Sequence, residues 1–211
     1  MLFGSISYLN LLPFQLFLKR FIRSNGAQMA FRYKRAVPAR INASLRRGEV
    51  HAAFISSIRS PHFRCTDLGI IARGKVYSVL ALPGDTGDDP ASETSNRLKK
   101  VLGIDGRVLI GDAALSYYLH GGEAIDLAEA WQDATGLPFV FARLCYNRHG
   151  RAITRLAKTF ARTRIHIPQY ILKHEAAQRG ITPRQLAWYL KHIHYKMDWR
   201  STKGLKKFLR A

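Results

Sequence analysis

Seven short polar side chains stand where apolar stretches end or where helices are predicted to begin, and these are the side chains placed to do chemistry. Hydroxyl and amide groups at such positions, together with the free N–H groups of a helix start, bind anions such as carboxylates. Each side chain also has a structural alternative, because it could cap a helix or bond the local backbone. The seven are Asn10, Ser56, Ser57, Ser78, Thr94, Ser95 and Asp112.

The elements that would position them alternate between strands and helices. Short apolar stretches predict strands at residues 3–8, 50–55, 76–82, 108–110 and 139–141. Helices are predicted at residues 10–23 with Asn10 as the N-cap, and at 38–47, 92–102, from 112, 126–136, 152–160, 168–179, 183–197 and 201–209. This alternation predicts an α/β architecture with a mainly parallel sheet, in which ligands gather where strands end and helices begin.

Charge divides the chain into three segments. The whole chain carries a net charge of +20, and residues 141–211 hold seventeen Lys and Arg against two acids. Residues 81–138 instead hold ten acids against four Lys and Arg. An acidic stretch between basic ends predicts an inserted lobe. We therefore expect a first lobe begun by residues 1–80, a small second lobe of residues 81–138, and a return to the first lobe over residues 139–211.

The sequence lacks the features of membrane, metal-binding and nucleotide-binding proteins. No stretch approaches the ~20 apolar residues of a membrane helix, and the start has neither the basic region nor the cleavage site of a signal peptide. We expect a cytoplasmic protein without a membrane partner. Two cysteines are too few for a disulfide framework or a complete zinc site. His192 and His194 are two apart on a predicted helix and face apart, so no metal is expected. The glycine patterns that cradle phosphates are absent.

Short blocks follow one another in a fixed order along nearly the whole chain. The first is GSISYLN at residues 4–10, and ISS at 55–57, VYSV at 76–79 and TS at 94–95 follow. LIGDAAL at 109–115 and TGLPFVFA at 135–142 complete the series. Single blocks are weak signals, but their ordered combination resembles the chorismate dehydratases of the futalosine route of menaquinone biosynthesis.

The resemblance implies a fold, a reaction and a ligand. The fold is α/β and two-lobed, a type II periplasmic-binding-protein-like fold with a central cleft, here with a small second lobe and a helical C-terminus. The reaction removes water from chorismate to give 3-[(1-carboxyvinyl)oxy]benzoate and uses no cofactor. The partner is thus a small dicarboxylate, and its own enolpyruvyl carboxylate is a candidate base, because no histidine or carboxylate dyad stands out. A positive field around the cleft would draw such a substrate in.

Roles for the seven residues follow from the same resemblance. Asn10 and Ser78 are expected to be catalytic. The other five are expected to bind substrate, although Asp112 suits a structural N-cap better than a catalytic base. Only residues 103–107 separate the helix after Thr94 from the next strand, where the family has a longer insert, so the second lobe is small.

Alternatives to the dehydratase remain open at this point. A related naphthoate-forming enzyme shares the fold but has a different opening block. A non-catalytic protein that binds small aromatic or carboxylic acids would need the same cleft. A nucleic-acid-binding protein, ranked lowest, would use the basic C-terminal third and would bind with steep salt dependence. A monomer and a homodimer are both compatible with the sequence.

Overall fold

Two separate β-sheets organise the computed structural model, which describes residues 1–6, 8–24, 32–84 and 86–211. The strands are β1 (Leu2–Ser5), β2 (Arg32–Arg35), β3 (Ala52–Ser56), β4 (Arg64–Ala72), β5 (Val79–Leu82), β6 (Arg107–Ile110), β7 (Ile125–Asp126), β8 (Phe139–Tyr146) and β9 (His194–Lys196). The helices are α1 (Leu12–Ser24), α2 (Pro38–Arg46), α3 (Glu93–Val101), α4 (Gly111–Leu119), α5 (Leu127–Thr135), α6 (Gly150–Arg162), α7 (Gln169–Ala177), α8 (Pro183–Tyr189) and α9 (Trp199–Arg210). Ser7 of the opening block lies outside the described residues.

The larger sheet has the strand order β2-β1-β3-β8-β4-β9. Its first three strands are parallel, but β8 runs antiparallel to both β3 and β4, and β9 runs antiparallel to β4. The prediction of a mainly parallel sheet is therefore wrong. The cause is β8, which returns from the smaller sheet in the opposite direction and inserts between β3 and β4.

The smaller sheet has the order β6-β5-β7, and both of its pairings are antiparallel. Helices α3, α4 and α5 pack on it. The chain enters this sheet from β4 through residues 73–78, and it leaves through α5 and β8. The lobe boundaries proposed at residues 81 and 138 stay a prediction.

The core lies between the larger sheet and the helices that cover it. Every residue of β3 is buried, as a strand covered on both faces should be. The ring of Phe14 on α1 meets Phe54 of β3 and Phe160 of α6 edge-on, with centroids 5.0 and 5.1 Å away. Such edge-to-face pairs add to the stabilisation that comes from burial. These contacts fix the position of the turn that precedes α1, which carries Asn10.

The two cysteines occupy directly opposite positions on β4 and β8 and form one disulfide, Cys65–Cys145. In the described part of the chain, no helix is both long and apolar enough to cross a membrane.

The C-terminal part departs from the prediction at one element. The helix predicted over residues 183–197 ends at Tyr189, and a 3-10 turn, Leu190–His192, leads into β9. Strand β9 pairs with the edge of β4, with Leu68 opposite Lys196 and Ile71 opposite His194. This pairing satisfies the backbone N–H and C=O groups at the edge of β4. The local sequence pattern around β9 does not indicate the pairing, because its partner strand is distant in the sequence. Strand β4 itself was not predicted.

Candidate active site

A narrow cleft lies between the two sheets, bounded by the ends of strands and the starts of helices. Its apolar walls include Phe54 of β3, Ile70 of β4 and Phe141 of β8. Its polar lining consists of Tyr8, Asn10, Ser56, Ser78, Ser92 and Ser95. The free volume is ≈ 70 Å³, well below the several hundred Å³ of most ligand pockets. The cleft must therefore widen to admit a ligand.

Ser78 is buried in the segment that connects the two sheets, and its hydroxyl has a defined partner. The phenol of Tyr189, at the end of α8, donates a hydrogen bond of 2.9 Å to the Ser78 Oγ. Burial raises the pKa of Tyr189, so this phenol stays protonated. Because Oγ accepts from Tyr189, the hydroxyl proton of Ser78 is left to donate to a ligand in the cleft.

The backbone around Ser78 is held from both sides. The Asp126 carboxylate accepts hydrogen bonds from the N–H groups of Val76 and Tyr77, at 2.9 and 2.7 Å. The N–H of Gly111 donates to the Ser78 carbonyl oxygen at 2.8 Å. Tyr77 has a φ of 61°, a left-handed conformation that costs energy for a non-glycine residue. These hydrogen bonds impose that conformation and so aim the next side chain.

The ring of Tyr77 is itself enclosed. Three rings lie with their centroids 4.5–5.0 Å from it, those of Trp188, His192 and Tyr118. Trp188 and His192 belong to the C-terminal segment that runs from α8 to β9, and Tyr118 belongs to α4. The segment that carries Ser78 is thus packed against both the C-terminal segment and helix α4, which covers the smaller sheet.

Asn10 does not cap α1, contrary to its predicted role. It lies inside a 3-10 turn, Leu9–Leu11, that precedes the helix, and no side chain caps that turn. Its carbonyl oxygen accepts a 2.6 Å hydrogen bond from the phenol of Tyr195 on β9. Among the described residues no hydrogen bond to its side-chain amide is found. The amide therefore lines the cleft with its hydrogen-bonding groups available.

Two further polar positions in the cleft are braced by neighbours. The Asn42 amide on α2 donates to the Ser56 Oγ at 2.9 Å, and its oxygen accepts from the Ser56 N–H at 3.2 Å. Ser92 caps α3 by accepting from the Ser95 N–H, and the two hydroxyls lie 2.8 Å apart. The sequence predicted a helix from residue 92 but did not place Ser92 in the cleft. Helix α3 thus begins at the cleft, where its dipole favours an anion.

Three of the seven predicted residues do not reach the cleft. Ser57 donates its hydroxyl to the carbonyl oxygen of Val140 in the neighbouring strand. The Thr94 Oγ1 accepts from the N–H of Ile58. Both hydroxyls are buried between elements, one residue away from a serine that does line the cleft.

Asp112, the third, bridges distant parts of the chain. One of its carboxylate oxygens accepts from the Leu9 N–H at 2.9 Å, and the other accepts from the Arg179 Nε at 2.7 Å. It is not the N-cap of α4, because that position belongs to Ile110. Asp112 therefore links α4 to the opening turn and to the turn after α7, instead of facing a ligand.

Tyr8 lines the cleft and was not among the seven residues. Burial and the charges of Asp89 and Asp112 raise the pKa of Tyr8 to about 12, so its phenol is a hydrogen-bond donor at neutral pH. Gly111 allows its position: a Cβ there would lie 2.8 Å from the Tyr8 ring, and Gly111 has a φ of +68°. Tyr8 belongs to the opening block GSISYLN, which was the signal that could have found it.

Neutral groups characterise the whole cleft. Within the ranges that the structure describes, none of the lining residues is Asp, Glu, His, Lys or Arg. An anion there would be held by hydroxyl, phenol and amide groups and by helix starts. Such a cleft can orient an anionic molecule and donate hydrogen bonds to it, but it has no side chain that would act as a base near neutral pH.

Comparison with known protein families shows which family this chain belongs to. A sequence model of the family described as menaquinone biosynthesis matches residues 1–101 and 82–211, which together span the chain. The chain belongs to this menaquinone-biosynthesis family. Over 100% of its length it is 40% identical to a chorismate dehydratase of Campylobacter jejuni, of which it covers 97%. Over 99% of its length it is 28% identical to one from Thermus thermophilus, of which it covers 93%.

Solved structures show that this member of the menaquinone-biosynthesis family has a periplasmic-binding-protein-like fold, as expected from the sequence. Protein AF1704 of Archaeoglobus fulgidus aligns with 99% of the chain and 95% of its own, with a TM-score of 0.68 and 13% identity. The aliphatic sulphonate binding protein SsuA of Escherichia coli aligns with 100% of the chain and 85% of its own, with a TM-score of 0.60 and 13% identity.

Proposed function

We propose that the chain is a chorismate dehydratase, a lyase that removes water from chorismate to give 3-[(1-carboxyvinyl)oxy]benzoate. The 40% identity to a curated chorismate dehydratase over the whole chain supports this substrate. The observation that carries the mechanism is the neutral cleft. It offers a dicarboxylate several hydrogen-bond donors and, among its described lining residues, no basic side chain.

The reaction needs little more than positioning. The substrate loses a ring proton and its hydroxyl group, and the ring becomes aromatic. The enolpyruvyl carboxylate of the substrate takes the ring proton, and the electron pair of that C–H bond forms the new ring double bond as the C–O bond to the hydroxyl breaks. The leaving oxygen then takes the proton from the carboxylic acid, so that water is released and the carboxylate is regenerated. An enzyme that holds the substrate so that its own carboxylate reaches the ring proton converts proton transfer into an intramolecular step. No cofactor takes part in this scheme.

The donors of the cleft have distinct tasks in the proposal. Ser78, whose proton is left free by Tyr189, donates to the departing hydroxyl group or to the carboxylate beside it. The amide of Asn10, which also lines the cleft, orients the enolpyruvyl group. The serines at the start of α3 and Ser56 hold the ring carboxylate, assisted by the helix dipole. The phenol of Tyr8 supplies a further donor.

The proposal is tested with chorismate and purified protein dialysed against a chelator. We expect time-dependent conversion to the enolpyruvyl benzoate, followed by mass spectrometry, without added metal or nucleotide. Unchanged chorismate in the presence of folded protein would contradict it. If chorismate then proved to bind saturably without turnover, the chain would instead be a small-acid-binding protein of the same fold.

A further inference from the structure

A second concave surface lies away from the cleft, along helix α6. It is an open groove of ≈ 1050 Å³ whose walls include the start of β4, the end of β8 and one side of α6. Six cationic side chains line it, and none of its described lining residues is acidic. We call it the α6 groove and define it by these six residues: Arg64, Arg148, Arg151, Arg155, Lys158 and Arg162.

The cations of the α6 groove are exposed and form a row. Four of them follow one another on α6 at intervals of four, three and four residues, which places them on one helix face. From Arg151 to Arg162 this row extends over roughly 16 Å at the helical rise per residue. None of the six forms a salt bridge with another described residue, whereas cations elsewhere, such as Arg59 and Arg73, pair with Glu93 and Asp198. A row of this length exceeds the size of a single phosphate or carboxylate group, so it fits a chain of several anionic groups.

The end of the groove carries two further features suited to phosphates and bases. Helix α6 begins after His149 without a side-chain cap and without an acid in its first turn. Its first N–H groups and its dipole therefore add to the positive field. The half-buried ring of Tyr146 lies across the helix start, where a Cβ on Gly150 would come within 2.7 Å of it. An aromatic ring beside a row of cations is the combination that binds single-stranded nucleic acids.

We propose that the α6 groove binds a single-stranded nucleic acid, with the row of cations along its phosphates and Tyr146 against a base. A membrane surface fits less well, because the apolar face of α6 is already buried: Ile153, Leu156 and Phe160 lie in the core. The apolar residues of this helix that remain exposed are alanines, Ala152 and Ala161, which are too small to anchor it in a bilayer. A concave groove also encloses a strand of phosphates better than it contacts a flat surface.

The test compares two variants with the same loss of charge. The groove variant is Arg151→Gln, Arg155→Gln and Lys158→Gln, and the control is Lys203→Gln, Lys206→Gln and Lys207→Gln on the exposed side of α9. The probes are fluorescein-labelled oligothymidine and oligouridine of about 12 nucleotides, a length within the range of known single-strand sites. Binding is followed by fluorescence anisotropy from low to physiological salt.

We expect wild-type protein to bind with a slope of log K against log salt near −4, if all six cations contact phosphates. The groove variant should bind at least tenfold more weakly at low salt, with the slope reduced by about 2. The control should stay within twofold of wild type.

Three results would overturn the proposal: no binding by wild type, equal weakening in both variants, or binding of phosphatidylglycerol vesicles in preference to both oligonucleotides. The outcome is independent of the dehydratase assignment, because none of the substituted residues lines the cleft. Far-UV circular dichroism and thermal unfolding curves, compared with wild type, check that both variants fold.

Discussion

At the scale of single residues, two serines show how position decides role. Ser78 lines the cleft and keeps its hydroxyl proton available to a ligand, whereas the Ser57 hydroxyl donates to the Val140 carbonyl oxygen. Both are buried and both lie next to a strand, Ser57 after β3 and Ser78 before β5. Because the two hydroxyl groups have different hydrogen-bond partners, we expect that removing each of them affects a different property, catalysis for Ser78 and stability for Ser57.

Ser78→Ala and Asn10→Ala should each lower kcat/KM for chorismate. A hydrogen bond to a charged group contributes about 1.5–3 kcal/mol, so we expect a loss of roughly 10- to 150-fold. Thermal unfolding should change little in Asn10→Ala, whose side chain has no hydrogen bond to the described residues. Steady-state kinetics and a melting curve check both statements.

Ser57→Ala is the contrasting variant. It should lower the free energy of unfolding by about 1–3 kcal/mol, because the buried Val140 carbonyl loses its side-chain partner. The KM of the remaining folded protein should equal that of wild type. Wild-type kinetics in Ser78→Ala, or a raised KM in Ser57→Ala, would contradict this assignment of the two serines.

At the scale of elements, the C-terminal segment acts on the cleft through two tyrosines. Tyr189 at the end of α8 bonds the Ser78 hydroxyl, and Tyr195 on β9 bonds the Asn10 carbonyl oxygen. Both phenols are buried, and burial raises the pKa of each, so they remain donors. Elements that come last in the chain thus orient residues that come early in it.

Tyr189→Phe should keep the packing but remove the donor to Ser78. Since a neutral hydrogen bond contributes about 0.5–1.5 kcal/mol, kcat should fall roughly 2- to 12-fold while KM changes little. Ser78→Ala combined with Tyr189→Phe should be no slower than Ser78→Ala alone, because both act through one hydroxyl. Additive losses in this double-mutant cycle would show that Tyr189 acts elsewhere.

Asp112 is the other element-scale contact, since it joins α4 to the opening turn and to Arg179. Asp112→Ala should lower the free energy of unfolding by about 1–3 kcal/mol in urea, because two donors lose their acceptor. Glu175→Ala is the control: Glu175 also pairs with Arg179, but within one helical region, where such pairs contribute about 0.3–0.5 kcal/mol. Equal effects would argue against a link between distant elements.

These contacts explain how much the sequence could predict. The fold class followed from ordered blocks, and the positions of most helices followed from caps and apolar spacing. The partners of Ser57, Ser78 and Asp112 are far away in sequence, Tyr189 lying 111 residues from Ser78, so no local pattern indicates them. The ending of α8 at Tyr189 likewise depends on the free edge of β4, which tertiary structure supplies.

At the scale of the whole molecule, the charged side chains lie outside the cleft. The cleft is lined by neutral residues, whereas the surface carries the net charge of +20. That field should draw an anionic substrate toward the cleft without placing a cation against it. The kcat/KM for chorismate should therefore fall several-fold from low to physiological salt, with kcat unchanged, because salt screens exposed charges. A flat kcat/KM would mean that the surface charge does not assist capture.

The most direct measurement concerns the claim that the cleft supplies donors while the substrate supplies the base. Chorismate and an analogue with its enolpyruvyl carboxylate converted to the amide are incubated with the wild-type protein, and both time courses are followed by mass spectrometry. The account predicts that chorismate is dehydrated, and that the amide inhibits this reaction competitively but is not itself dehydrated. Dehydration of the amide at the rate of chorismate would contradict it, because the base would then have to come from the protein.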